Sequence, residues 1–285
     1  MTNFRPKDFK WMHCGSHEET REQLRDWYER LPGAWLAEQE VQLLDEILPD
    51  LFGYNLLQMG VSYSEDCLAK SKIPNQMVMD VDEPPSLDHL RESIVNRKIR
   101  YLRGIPEQLP IASDSLDVLL LSHTLEFTLD PHQVLREADR ILIPEGHVVI
   151  LGFNPWGLWM WWRLVWGWRG KPPWCGQFLR LNRVRDWLQL LGFDIVEVHG
   201  YFYRPPFANK RVMEKLKFLE RIGQRFWPFF SGAYCIVAKK RVATLTAIRP
   251  RWRPRRSRLV SPELAGNSSS VSSRDNQNNN EYKRK

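Results

Sequence analysis

Residues 109–153 read LPIASDSLDVLLLSHTLEFTLDPHQVLREADRILIPEGHVVILGF. Within this stretch 117–122 (DVLLLS) and 147–153 (HVVILGF) are near-continuous apolar runs, the form taken by parallel strands buried on both faces. Between them lies DPHQVLREADRIL, where Val134, Leu135, Ala138, Ile141 and Leu142 recur at helical spacing. Asp130 suits the N-cap of that helix and Pro131 its first position. Residues 144–147 (PEGH) are expected to turn the chain into the second strand. Strand, helix and strand in this order point to an α/β unit.

The same alternation extends outward. Upstream strands are expected at 54–59 (YNLLQM), 76–80 (QMVMD) and 99–103 (IRYLR). Downstream, a helix over Asn182 to Leu191 leads through Gly192 into FDIVEVHGYFY, and a last strand, AYCIVAKKR, ends at Arg241. The expected fold is α/β: a Rossmann-like doubly wound sheet of about seven strands, mostly parallel with an antiparallel last strand. Two helices precede it. Ser16 and Glu19 match a capping box, and Leu24, Trp27, Tyr28 and Leu31 share one helical face. Pro32-Gly33 breaks that pattern before a second amphipathic run from Trp35 to Leu48. The chain is thus expected to divide into an N-terminal helical extension (1–50), an α/β domain (51–241) and a disordered basic tail (242–285).

The tail explains the net charge of +7. Residues 242–285 hold ten Lys/Arg against three Asp/Glu, and the remaining residues are balanced at 31 of each. The body therefore has no overall basic bias toward a polyanion, and nucleic acid is a weak expectation confined to the tail. Between its arginines and the final KRK runs a polar segment of low complexity, which reads as disorder. The four cysteines (Cys14, Cys67, Cys175, Cys235) form no C-x-x-C pair. That points away from a zinc site or a disulfide framework and toward a reducing, cytoplasmic setting. The first residues carry no apolar h-region, so no secretory leader is expected.

Doubly wound sheets bind ligands beyond the carboxyl ends of their strands. The first strand runs into NLLQMGVSYSED, residues 55–66, with Gly60 at its end and Ser62 and Ser64 where a nucleotide-binding turn places further glycines. Asp80 ends the second strand about 20 residues later, the place of a ribose-binding carboxylate. His123 and Glu126 flank the end of the fourth strand. A histidine there is suited to take a proton, since its ordinary pKa is near neutrality; the other reading is packing at the corner.

Residues 109–153 strongly resemble the class I S-adenosylmethionine-dependent methyltransferases, in particular the small-molecule subgroup called methyltransferase type 11. The matching parts are Leu109-Pro110-Ile111, Asp114 to Asp117, His123 to Pro131, Leu135 to Leu142, and Pro144-Glu145-Gly146. The resemblance implies S-adenosylmethionine as cofactor, with Gly60, Ser62, Asp80, Glu107, Leu109 and Ser122 binding it and His123 and Glu126 as candidate catalytic groups. No metal is implied. The cofactor half departs from the family pattern: Gln58 stands for its acidic residue, Ser62 and Ser64 for its later glycines. Ile105 stands where the family's Asp meets the adenine amine, and Pro106 has no N–H to offer. Three functions follow: a methyltransferase for a small, apolar or aromatic acceptor, a binding or scaffold module that has lost catalysis, and, more weakly, an RNA methyltransferase using the tail.

Seven of the thirteen tryptophans lie between Trp156 and Trp174, and Val148 to Trp168 carries one charge, Arg163. That run is long enough to raise a transmembrane reading, but Asn154-Pro155 splits it and its first half fits a sheet strand. The segment Trp156–Trp168 is expected to be a partly exposed helix, acting as packing, as a wall for an apolar substrate, or as a membrane-surface contact. An insertion over 204–232 reads as a covering helix.

Overall fold

The computed structural model describes residues 17–60, 65–80, 99–157, 159–166, 171–206, 210–216, 218–226 and 228–241. Ser16, Ser62, Ser64, Trp168 and the basic tail lie outside these residues. Two helices, α1 (His17–Glu29) and α2 (Gly33–Ile47), lead into seven strands: β1 (Asn55–Gly60), β2 (Asn75–Asp80), β3 (Arg100–Arg103), β4 (Leu116–Ser122), β5 (Leu142–Phe153), β6 (Phe193–Tyr201) and β7 (Ala233–Lys240). Helix α3 (Pro131–Ile141) joins β4 to β5. Helices α4 (Trp159–Trp166) and α5 (Leu181–Leu190) lie between β5 and β6, and α6 (Lys210–Lys215) and α7 (Phe218–Phe226) between β6 and β7. The sheet order is β3-β2-β1-β4-β5-β7-β6. The first five of these strands pair in parallel, and β7 is antiparallel to both β5 and β6.

Because neighbouring residues of a strand point to opposite faces, the apolar runs fill two cores at once. Leu56, Val118, Leu120, Val149 and Leu151 face α1, α2 and Trp159 of α4. Leu57, Leu119, Leu121, Val148 and Ile150 face Val134, Leu135 and Ala138 of α3 and Val184 and Leu188 of α5. The two N-terminal helices therefore share a core with the sheet: Leu24, Tyr28, Leu36 and Leu44 are buried in it.

The specific motif is a set of staples. Asp130 caps α3, its carboxylate accepting from the Gln133 N–H at 3.1 Å, with Pro131 in the first turn. Glu137 accepts from the Leu109 N–H at 3.0 Å and pairs with Arg140 at 2.7 Å, which holds its carboxyl below the usual range. Arg140 in turn donates to the carbonyls of Leu109 (3.0 Å) and Ile111 (2.8 Å), fixing the 109–111 loop on α3. Asp117 accepts from the Tyr54 and Asn55 N–H groups at 3.0 and 2.9 Å and sets the start of β1. The PEGH turn is real but sits inside β5: Leu142 pairs with Leu116 and His147 with Val118, so residues 143–146 loop out of register, with Glu145 at φ +67°.

Two expectations change. Cys175 is disulfide-bonded, while Cys67 and Cys235 are buried thiols. Separation along the chain did not report proximity in space. The Trp-rich segment is split as expected, into the end of β5 and the eight-residue α4, and no helix among the described residues is long and apolar enough to cross a membrane. Arg163, its one charge, donates to the carbonyls of Trp174 (3.2 Å) and Gly176 (2.9 Å) and lies over the Phe178 ring at 4.6 Å. Burial pushes its pKa down.

Candidate active site

The carboxyl ends of β1, β2 and β4 meet at one edge. Gly60 pairs in register with Ser122 and has φ +100°. A Cβ at Gly60 would stand 2.0 Å from the Ser122 carbonyl oxygen and 2.6 Å from Thr124 Oγ1, so only glycine fits. The Thr124 hydroxyl donates to the Met59 carbonyl at 3.0 Å and locks this crossing. Asp80 ends β2 with its side chain 13% exposed, and its Oδ2 lies 3.7 Å from Arg25 Nη2 of α1. On the third strand's side, Leu109 is buried and held through its backbone, Glu107 is half-buried, and Ile105 is exposed.

A nucleoside cofactor fits part of this edge. The glycine at the end of β1 lets the chain turn against the Ser122 carbonyl, which fixes the course of the backbone into the loop that follows. Gln58 Nε2 and Ser122 Oγ are buried with no hydrogen-bond partner, on adjacent strands of the same edge, and a polar ligand group would satisfy them. Asp80 presents a carboxylate at the end of β2, where a ribose-binding residue would have to stand. At Ile105-Pro106 the fit is by shape alone, since neither offers a side-chain donor or acceptor.

His123 and Glu126 flank the end of β4, as the sequence reading has them, with their side chains turned into the interior. His123, at φ +48°, carries its ring into the interior with no side-chain exposure. Its Nε2 lies 2.8 Å from Glu40 Oε1 of α2, and its Nδ1 is 3.5 Å from Glu126 Oε1, an electrostatic rather than hydrogen-bonded contact. Burial opposes the charged ring, but the Glu40 and Glu126 carboxylates outweigh it and raise the His123 pKa to about 10. Both ring nitrogens face carboxylates in the interior, the setting of a buried ion pair, and this geometry favours the corner-packing reading of His123 over the general-base one. Glu126 is likewise engaged in structure: its Oε1 accepts from the Phe153 N–H at 2.7 Å, tying the β4 corner to the end of β5. The Tyr201 hydroxyl donates to Glu40 Oε1 at 3.0 Å, so one carboxylate of α2 joins the ends of β4 and β6. Burial, then Glu40, pushes the Tyr201 pKa well up and keeps it a donor.

Sequence reasoning missed Glu40. Its signal was present: Gly33, Leu36, Glu40, Leu44 and Ile47 form the buried stripe of α2. A carboxylate inside an apolar stripe requires a cation or donor across the interface.

Past the end of β5 lies an open cavity of about 1090 Å³. Its walls include Asn154 and Trp156 after β5, Phe178, Arg180 and Arg183 around the start of α5, and Tyr234 of β7. The link to the β4 end is aromatic: Phe178 stacks on Phe153 at 5.1 Å, and Phe153 lies 4.2 Å from the His123 ring.

A sheet in this order, with a glycine pinned at the end of β1 and a carboxylate at the end of β2, is the framework of an adenosine-binding α/β protein. The family model described as "Methyltransferase domain" matches residues 57–150. Over 196 residues the chain is 43% identical to the uncharacterized protein YafS of Escherichia coli (strain K12), a match covering 69% of this chain and 72% of that protein. A shorter match, 31% identical over 67 residues (24% of this chain, 26% of the relative), is to the ubiquinone/menaquinone biosynthesis C-methyltransferase UbiE of Vibrio vulnificus (strain YJ016). Among solved structures, a SAM-dependent methyltransferase of Thermotoga maritima shares the fold at TM-score 0.52 and 16% identity, over 78% of this chain and 100% of that one. The chain belongs to the class I S-adenosylmethionine-dependent methyltransferases, whose cofactor is S-adenosylmethionine.

Proposed function

We propose that this chain methylates a small, apolar, ring-bearing acceptor held in the cavity beside the ends of β5 and β6. The observation that carries this reading is the cavity itself: Phe178, Trp156 and Tyr234 give it aromatic walls, and the Phe178–Phe153–His123 ring contacts join it to the end of β4. S-adenosylmethionine, when bound, supplies an electrophilic methyl group on a sulfonium. Gly60 fixes the course of the backbone into the loop that follows β1, Asp80 accepts from ribose hydroxyls, and the Ser122 hydroxyl offers a buried polar contact. Phe178 and Tyr234 hold the acceptor ring, so that the chain contributes proximity and alignment. The His123 imidazolium keeps its protons and fixes the edge. The proton lost by the acceptor leaves to water through the open mouth of the cavity.

The UbiE relative is named for ubiquinone/menaquinone biosynthesis, which makes hydroquinones the first acceptors to try. Incubation with methyl-labelled S-adenosylmethionine should move label into the organic extract of a hydroquinone panel. Label recovered in RNA instead would overturn the reading. A second reading, a methyltransferase-fold binding module without catalysis, is favoured by one contact: Arg25 already engages the Asp80 carboxylate. Cofactor binding with no transfer to any acceptor would select it.

A further inference from the structure

Three large aromatic side chains stand exposed together on the rim of the cavity. Trp156 is 60% exposed, Phe229 78% and Phe230 53%, and all three line the same opening. Phe229 and Phe230 belong to a 3-10 turn (Pro228–Phe230) in the insertion before β7, and α7 packs against that turn. Helix α7 adds Phe218 at 54% exposure and Ile222 at 37%. Large apolar side chains gathered on one exposed rim mark an interaction site. Aromatic rings with one wet side suit the boundary between lipid and water.

The charges of the rim agree. Arg180 and Arg183 are exposed at the opening, with Asp186 the one carboxylate lining it among the described residues. The Arg180 guanidinium lies 4.8 Å over the Trp156 ring, and Arg183 lies 4.9 Å over Trp187. Stacked in this way, each arginine keeps its N–H fork free at the level of an aromatic ring, the height at which a phosphate lies in a lipid headgroup layer. The turn that carries the aromatics is anchored rather than loose: Asn154 Nδ2 donates to the Phe229 carbonyl at 2.8 Å.

We propose that this rim docks on the surface of an anionic bilayer, with Trp156, Phe229 and Phe230 entering the interface and Arg180 and Arg183 meeting lipid phosphates. The occupant is a bilayer rather than a protein groove because apolar rings and arginines ring an opening instead of forming a closed, complementary strip. Docked so, the cavity opens toward lipid, and an apolar acceptor reaches it from the membrane. The docking stands on the exposed rim alone and does not depend on the acceptor reading.

The test is co-sedimentation of the full chain with phosphatidylcholine vesicles, with and without phosphatidylglycerol. The full-length variants are Phe229→Ser/Phe230→Ser and Arg180→Gln/Arg183→Gln. The basic tail is unchanged in every protein, so differences between them belong to the rim. The wild type should bind the anionic vesicles, and the phenylalanine pair should weaken that binding by at least about tenfold. The arginine pair should weaken it by about fivefold per charge, since one basic group near an anionic leaflet is worth ~1 kcal/mol. Wild-type binding that neither pair alters would assign the membrane contact elsewhere and overturn the proposal. No binding to vesicles, with a self-associated species that the phenylalanine variant loses in sedimentation velocity, would assign the rim to a second copy of the chain and also overturn it.

Discussion

The two halves of the sheet's carboxyl edge are built in opposite ways. At β1, β2 and β4 the edge is closed and charged. Helices α1 and α2 cover it, and Glu40, Glu126 and the His123 imidazolium lie in the interior. At β5, β6 and β7 the edge is open and aromatic, and its cations, Arg180 and Arg183, stand at the surface. Under the proposed function, the contrast follows from what each half has to do. A cofactor of fixed chemistry needs atoms held in place, which buried ion pairs and a pinned glycine provide. An apolar acceptor needs access, which an exposed cavity provides. The closed half derives its rigidity from groups that are costly to leave unpaired, and the open half from stacking that tolerates change.

The largest test of that contrast is Glu40→Ala. It leaves the His123 charge buried with only Glu126 nearby and strips the Tyr201 hydroxyl of its acceptor. Breaking a buried pair from one side costs roughly 3–5 kcal/mol, to be read as a lowered urea midpoint. Substitution of exposed Phe229 on the open half should move the same midpoint hardly at all. Equal effects at the two sites would erase the distinction.

Gly60→Val should come next. The side chain meets the Ser122 carbonyl at a φ that β-branched residues avoid, at a cost of roughly 2–3 kcal/mol. It should also abolish cofactor binding, whereas a purely structural glycine would lower stability and leave binding in the folded fraction intact.

A separate effect is expected from pH. The folded His123 pKa, about 10, lies above its ordinary value of 6.5. The stability it confers is therefore complete below pH 6.5 and is lost as pH rises through 10. Denaturation midpoints should fall across that window, and His123→Gln should flatten the slope. A wild-type profile as flat as the variant's would mean that the ring is not charged in the folded protein.

The framework of the closed half was legible in the sequence because its signals are local. Asp130-Pro131 announces a helix start, DVLLLS a buried strand, and the spacing of Gly60 and Asp80 a cofactor edge. The partners were not legible, because they come from far along the chain: Glu40 reaches His123 across 83 residues and Tyr201 across 161. Without Glu40, His123 reads as an available base, and with it the ring is a sealed cation. The open half was partly legible. The tryptophan cluster announced an unusual surface, but Trp159 proved fully buried while Phe229 and Phe230, from the insertion, complete the rim. Periodicity within an eight-residue helix does not determine which of its aromatics meet the core.

The central claim is that the closed half holds S-adenosylmethionine through Gly60 and Asp80, and calorimetric titration of the full chain with the cofactor tests it most directly. The departures at Ile105 and Pro106 remove one or two net hydrogen bonds to the adenine, which lowers affinity by roughly ten- to hundredfold relative to the family pattern. The account predicts weak, saturable heat for the wild type and about tenfold weaker binding for Asp80→Ala, measured on folded protein. No heat and no thermal shift from a folded wild-type protein, or an Asp80→Ala titration that overlays the wild type, would contradict it.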